Sequence, residues 1–253
     1  RDLIAFSDLV GSGLHLFTPK GTIIRNEIDR YSQELRLARG FQNVWIPHIT
    51  KTELYKMSGH WAKFGHELFL IKSQETEDQF VLKPMNCPHH AQIYKSRGRS
   101  YRDLPLRYME TTTVYRDEKK GELSGLARVR AITQDDSHIF ARPDQIEDEY
   151  AKIMEMVVEF YQTMGMRFRA RLSFRDSRTP ERYLGDDTLW RETEEKLKLI
   201  AESGGFPYAV AEGEAAFYGP KIDFLATDTL GREHQLATGQ LDFVQPSRLG
   251  LTY

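Results

Sequence analysis

Side chains that bind charge recur at strand-like spacing between Tyr115 and His138. Tyr115-Arg116-Asp117-Glu118-Lys119-Lys120-Gly121-Glu122 is followed by Arg128-Val129-Arg130-Ala131-Ile132-Thr133-Gln134-Asp135-Asp136-Ser137-His138. The alternation predicts two strands joined by a charged, glycine-containing loop. The first, Tyr108 to Arg116, puts Thr111, Thr113 and Tyr115 on one face, with Thr112, Val114 and Arg116 on the other. The second begins near Arg128 and puts Arg128, Arg130, Ile132, Gln134 and Asp136 on one face. An apolar core-facing strand would not carry that row, whereas a floor that holds a charged ligand would. Arg116, Glu118, Arg128 and Arg130 suit a polyphosphate, because guanidinium forks match phosphate oxygens; a cross-strand ion-pair ladder is the alternative reading.

Three further groups have chemical potential. Cys87 and His138 are both metal-ligand types, yet they are far apart in sequence and supply two ligands where zinc takes at least three from protein. Taken alone they read as a buried thiol and a structural histidine. Asp135-Asp136 beside His138 suits an amine or a metal, or else ends a strand in a turn. Phe217-Tyr218-Gly219-Pro220-Lys221 is a tight turn that sets a phenol beside an ammonium. The chain has no GxxxxGK[ST] loop and no GxSxG elbow, so P-loop and α/β-hydrolase readings are unsupported.

The elements that must position these residues follow from periodicity. Ile24, Ile28, Tyr31, Leu35 and Ala38 make one apolar helical stripe that Gly40 ends, and Val44 to Ile46 is a short strand stopped by Pro47. Thr50 to Gly59 predicts a helix with Glu53 three places after a Thr cap. Leu68 to Lys72 and Gln79 to Lys83 predict a hairpin, and His89 to Arg97 a helix. Pro143 to Met164 carries the widest apolar face and closes at Gly165. A strand at Met166 to Phe174, a helix at Asp186 to Glu202, and strands at Pro207 to Ala211, Lys221 to Asp228 and Glu233 to Phe243 complete the chain. Strands joined by hairpins, with helices between them, imply one α+β domain around a central sheet. The 253 residues are 40% hydrophobic and 28% charged, an ordinary globular composition with a net charge of -2. Lys95 to Arg130 is locally basic, with ten Lys/Arg against five Asp/Glu; that hints at phosphate contact but also describes a solvated face. No apolar run approaches the roughly 18 residues a span needs, so no membrane partner is expected. The single cysteine suits a reducing cytoplasm, an organellar matrix being the alternative.

At these residues the chain resembles a known family, the catalytic core of threonyl-tRNA synthetases, which are class II aminoacyl-tRNA synthetases. The resemblance extends over nearly the whole chain, from Arg1 to Tyr253. It rests on Gly40-Phe41 to Pro47 (motif 1), Ser58-Gly59-His60-Trp61, Lys83-Pro84-Met85-Asn86-Cys87-Pro88, and Tyr101-Arg102-Asp103-Leu104-Pro105. Arg116-Asp117-Glu118 (motif 2), Thr133 to Phe140, Phe217 to Lys221, and Gln240-Leu241-Asp242-Phe243 extend it. The resemblance implies an antiparallel sheet flanked by helices, dimerised through motif 1, that activates threonine with ATP and Mg2+ and transfers it to tRNA(Thr). It implies that Arg116 grips the ATP α-phosphate, Glu118 meets the adenine amino group and Arg128 reaches the γ-phosphate. It gives Cys87 and His138 to a zinc ion that binds the amino and hydroxyl groups of threonine. Asp136 and Tyr218 would hold the substrate ammonium, with Gln134 close by. His60 would approach the terminal ribose of the tRNA, and Lys221 and Gln240 would line the site.

The chain departs from the family pattern in two places. Ile132 stands where the family has a Phe under the adenine, which removes the π-stacking component. The family's third zinc ligand, a His, and motif 3 with its second ATP arginine are expected beyond Tyr253. No editing or anticodon-binding domain is expected within residues 1–253, and the isolated chain is expected to activate threonine poorly. A non-catalytic synthetase-like binding or regulatory module is the alternative function.

Overall fold

The charged stretch does form a strand pair, in a chain whose contacts divide into two units, Arg1–Phe140 with Tyr253 and Ala141–Thr252. The structure is a computed structural model that describes residues 2–205 and 207–253; Arg1, where the resemblance begins, lies outside them.

In the first unit, β1 (Ile4–Ala5) and β2 (Leu16–Phe17) pair ahead of α1 (Pro19–Leu37). Thr18 caps α1 by accepting from the Gly21 amide at 3.3 Å, and Pro19 occupies the first turn, where its missing N–H costs nothing. Gly40, at φ 80°, takes the left-handed position after the helix. The expected apolar stripe is buried at Leu35, while Ile24 and Ile28 are exposed. The face that α1 buries is Gly21, Ser32, Leu35 and Arg36.

Next come β3 (Gln42–Asn43), two residues before the strand expected at Val44 to Ile46, and β4 (Ile49–Lys51). α2 (Thr52–Ser58) starts two residues later than expected, because Thr50 pairs with Val81 in a ladder and does not cap a helix. Gly59, at φ 86°, separates α2 from α3 (His60–Phe64). The predicted hairpin is present as β5 (Leu70–Lys72) and β6 (Gln79–Leu82), and α4 (Cys87–Lys95) follows.

β7 (Leu106–Tyr115) and β8 (Ala131–Phe140) are antiparallel. Their register sets Ile132 opposite Val114, Gln134 opposite Thr112, Asp136 opposite Glu110 and His138 opposite Tyr108. β8 therefore starts three residues after Arg128. Arg128 and Ser124 exchange backbone hydrogen bonds at 3.1 Å, and the Arg130 amide donates to Gly13, so neither arginine belongs to the strand.

The second unit contains α5 (Ile146–Thr163), β9 (Arg167–Phe174), α6 (Asp187–Ser203), β10 (Tyr208–Glu212), β11 (Lys221–Thr227), β12 (Glu233–Gln240) and α7 (Gln245–Arg248). Asp186 caps α6 through the Leu189 amide. The core is Tyr150, Met154 and Tyr161 of α5 and Leu197, Ile200 and Ala201 of α6, packed on Leu172, Ile222 and Phe224 of the sheet. The strands form four sheets, not one, among the described residues. Most pairs are antiparallel as expected; β3–β7 and β9–β10 are parallel.

The opposite face of the second unit's sheet is polar and centred on Asp223, which is fully buried. Its Oδ1 accepts from Lys221 Nζ (3.1 Å), Gln235 Nε2 (2.8 Å) and Thr238 Oγ1 (2.9 Å). Its Oδ2 accepts from Lys221 Nζ (2.9 Å), Arg171 Nη2 (3.0 Å) and Ser173 Oγ (2.7 Å). Burial pushes the Asp223 carboxyl up, but these donors, led by Ser173 and Lys221, hold it below its ordinary value. Just ahead of Lys221, Gly219 packs against the chain: a Cβ there would lie 1.9 Å from the Leu241 carbonyl oxygen.

Two stability predictions follow from this unit. Gly219→Ala has no space for its methyl group and is expected to lose ~1–3 kcal/mol, read as a lower urea midpoint at an unchanged slope. Asp223→Asn leaves Arg171 and Lys221 without their carboxylate and is expected to lose ~3–5 kcal/mol at pH 7. Because the folded carboxyl lies below the unfolded value of about 3.9, its contribution is complete above about pH 4 and is lost as pH falls through the folded value. The gap between the parent and Asp223→Asn, measured by urea unfolding at pH 7 and pH 3, should therefore shrink at the lower pH.

Candidate active site

The upper face of β7 and β8 is a polar floor. Strand alternation brings Tyr108, Glu110 and Thr112 of β7 to the same face as Ile132, Gln134, Asp136 and His138 of β8. Lys83, fully buried just after β6, donates from Nζ to Thr112 Oγ1 at 2.8 Å. Burial lowers its pKa, while Glu110 and Asp136 oppose that shift and favour the ammonium. Asn86, the residue before α4, donates from Nδ2 to Asp136 Oδ2 at 2.8 Å and so fixes that carboxylate. Glu110 accepts from the Ile46 amide at 3.1 Å, and its Oε2 lies 3.8 Å from His90 Nε2.

His138 meets His90 Nδ1 to Nδ1 at 2.8 Å, with the rings edge to face. His90 is fully buried, and burial, reinforced by His138, His89 and Lys83, holds its pKa down at about 2. A neutral His90 can take one hydrogen at the shared nitrogen pair from His138, which leaves His138 Nε2 as an available lone pair. Cys87 is the first residue of α4 and is half-buried. A thiol and an imidazole with an available nitrogen are donor types that zinc takes, so this pair fits the ion in type. Among the described residues, no three His, Cys, Asp or Glu side chains form a group that could hold a metal ion.

At the other end of the floor, Glu118 is buried and bound by Arg128, whose Nε and Nη2 donate to Oε2 at 2.9 and 2.8 Å. Arg128 also pairs with Glu122 at 2.9 Å, and Arg130 donates to the Glu118 carbonyl oxygen at 3.0 and 3.2 Å. These ion pairs lie within the loop between the strands and do not form the cross-strand ladder considered from sequence. Arg116 directly follows β7, half-buried, with its amide bonded to the Arg130 carbonyl. His60, at the start of α3, is fully buried, with Ser58 Oγ 2.8 Å from Nδ1.

Tyr218, Lys221 and Gln240 belong to the second unit, where they gather at one end of the β11–β12 pair. Lys221 is opposite Gln240 in register, and the Tyr218 hydroxyl donates to Gln240 Oε1. Asp223 holds the Lys221 ammonium with both carboxylate oxygens.

Sequence reasoning gave no role to Lys83, Asn86, His90, Glu110 or Asp223. Glu110 and Thr112 were detectable in principle, as polar residues at alternate positions of an otherwise buried strand. The partners of Lys83 and His90 come from distant segments, and no spacing rule reveals them.

The chain is similar to known proteins over most of its length. Residues 69–253 match the family model of the tRNA synthetase class II core domain (G, H, P, S and T). The chain is 48% identical to the threonine--tRNA ligase of Gloeobacter violaceus, over 99% of this chain and 41% of that protein. It is 46% identical to the threonine--tRNA ligase of Thermus thermophilus, over 100% of this chain and 39% of that protein. It thus spans about two fifths of the length of the curated relatives it matches. Its fold superposes on the solved RNA binding domain of threonyl-tRNA synthetase from Cryptosporidium parvum with a TM-score of 0.93 at 36% identity, over 99% of this chain and 61% of the other. The Giardia lamblia prolyl-tRNA synthetase, at 20% identity and a TM-score of 0.71, shares the fold. With its floor of opposed strands and a family match over most of its length, the chain belongs to the class II core-domain family of tRNA synthetases.

Proposed function

We propose that residues 1–253 serve as catalytic domain in a threonine–tRNA ligase, which activates threonine with ATP and transfers it to tRNA(Thr). The observation that carries this reading is the row Ile132, Gln134, Asp136 and His138 on one face of β8, with the Arg128–Glu118 pair at its entry. Phosphate chemistry suits the entry end and amine chemistry the far end, about one ligand length apart on a strand that rises roughly 3.4 Å per residue.

In the first step a carboxylate oxygen of threonine attacks the α-phosphorus of ATP. The new O–P bond replaces the bond to the β-phosphate oxygen, and pyrophosphate leaves. Such a reaction needs alignment and charge neutralisation more than covalent help. Arg116 neutralises the α-phosphate, and Mg2+ accompanies the ATP. Arg128 reaches the γ-phosphate by exchanging its carboxylate partners for phosphate oxygens, which leaves Glu118 to accept from the adenine amino group. Ile132 packs against the base through its aliphatic surface. Asp136, oriented by Asn86, pairs with the substrate ammonium beside Gln134.

Cys87 and His138 would hold zinc, which when bound supplies direct coordination of the threonine amino and hydroxyl groups. A site that requires a hydroxyl rejects isosteric valine far better than apolar contact does. Transfer then forms an ester between the threonyl carbonyl and a hydroxyl of the terminal ribose, with AMP leaving; His60 approaches that ribose. Within motif 1, the exposed Trp45 supports a homodimer through that segment.

The complete protein is expected to exchange pyrophosphate into ATP when threonine is supplied and not when valine is. Exchange with valine at a comparable rate would contradict the threonine reading, and no exchange with threonine would contradict it in favour of a non-catalytic module. Asp136→Asn is expected to raise KM for threonine about ten- to a hundredfold with KM for ATP little changed, as loss of one charge-assisted contact predicts. Arg116→Ala is expected to lower kcat by about a hundredfold or more, measured in the same assay.

A further inference from the structure

Arg36 lies near the C-terminal end of α1, on the side of the β7–β8 pair away from Gln134, Asp136 and His138. It is 2% exposed, and all its donor nitrogens are engaged. Nε donates to the Ser32 carbonyl at 3.4 Å, within its own helix. Nη1 donates to the Asp136 carbonyl oxygen at 3.2 Å and to Ser137 Oγ at 3.4 Å. Nη2 donates to Thr111 Oγ1 at 3.2 Å and forms an ion pair with Asp135. One planar fork from α1 thus bridges both strands of the floor. Three of its partners are consecutive residues of β8, directly beneath the row that carries Asp136 and His138.

Packing a helix against a sheet needs apolar contact, not a buried cation, and removing a charge from water is unfavourable unless each donor finds an acceptor. The rigid geometry of a guanidinium fixes its acceptors relative to one another, which a lysine ammonium does not do. Because side chains alternate along a strand, a small displacement of β8 at residues 135–137 moves Asp136 on the upper face. We infer that Arg36 is a positioning residue for the amino-acid end of the floor, holding the β8 backbone from beneath so that Asp136 and His138 present their side chains in fixed places. This rests on the proposed function for what the floor binds, but not for the positioning itself.

The test compares Arg36→Lys, Arg36→Met, Thr111→Val and Ser137→Ala in the complete protein. The last two each remove one acceptor while Arg36 keeps its ion pair with Asp135. Two readouts are taken, amide hydrogen exchange across β8 and, in pyrophosphate exchange, KM for threonine and for ATP. Faster exchange is expected at residues 135–138 in both Arg36 variants, and to a lesser degree in Thr111→Val and Ser137→Ala, with the second unit unchanged. KM for threonine is expected to rise about tenfold or more, since a misplacement on the ångström scale costs that much, while KM for ATP stays within about twofold. Uniformly faster exchange throughout the first unit, or parent-like exchange on β8 in all four variants, would overturn the inference. A parent protein without threonine-dependent activity, but with β8 loosened in the variants, would contradict the functional reading and leave the positioning role standing.

Discussion

The cross-strand register of β7 and β8 is the constraint on which the rest of this structure depends. Side chains alternate with a period of two, so a slip of one residue would turn Gln134, Asp136 and His138 away from Glu110 and Thr112. The register also decides which charges meet in the interior. Lys83 finds Thr112, Asn86 finds Asp136, and His90 finds His138, all three from the single stretch 83–90. A buried polar group without a partner is costly, so these contacts reinforce a single alignment of the two strands. The chemistry of the floor and its stability are therefore the same set of interactions viewed from two sides.

The two units reach polar order by different means. In the first, the buried network is distributed, with most charged groups meeting one or two partners across a strand pair. In the second, it is concentrated: Asp223 gathers six hydrogen bonds from Lys221, Arg171, Ser173, Gln235 and Thr238. That saturation leaves Lys221 oriented at the end of its strand opposite Gln240. Beneath it, α5 and α6 supply an apolar core that needs no polar specification.

Much of this was legible in the sequence. The alternation of Thr111 to Arg116 and of Ile132 to Asp136 gave the strand pair, the glycine and proline punctuation gave α1, α4 and α5, and a polar turn at Ser73 to Asp78 gave the β5–β6 hairpin. Boundaries failed where local chemistry had a long-range competitor. Thr50 has good capping chemistry, but the β4–β6 ladder claims it. Arg128 continues the strand pattern by one step of alternation, but its pairing with Glu118 and Glu122 places it in the loop. The apolar stripe of α1 was read correctly as a stripe, yet the unit buries only part of it; the helix turns Ser32, Leu35 and Arg36 inward. A buried arginine has no sequence signature, because its role depends on the acceptors that distant strands bring to it.

The central claim is that one strand face divides into a nucleotide end and an amino-acid end. It is tested most directly by a crystal structure of the complete protein with a non-hydrolysable threonyl-adenylate analogue. The account predicts adenine against Ile132 with its amino group toward Glu118, the phosphate analogue beside Arg116, and the threonyl ammonium within hydrogen-bond distance of Asp136. An analogue bound away from the β7–β8 face, or bound there with its adenine at Asp136, would contradict it.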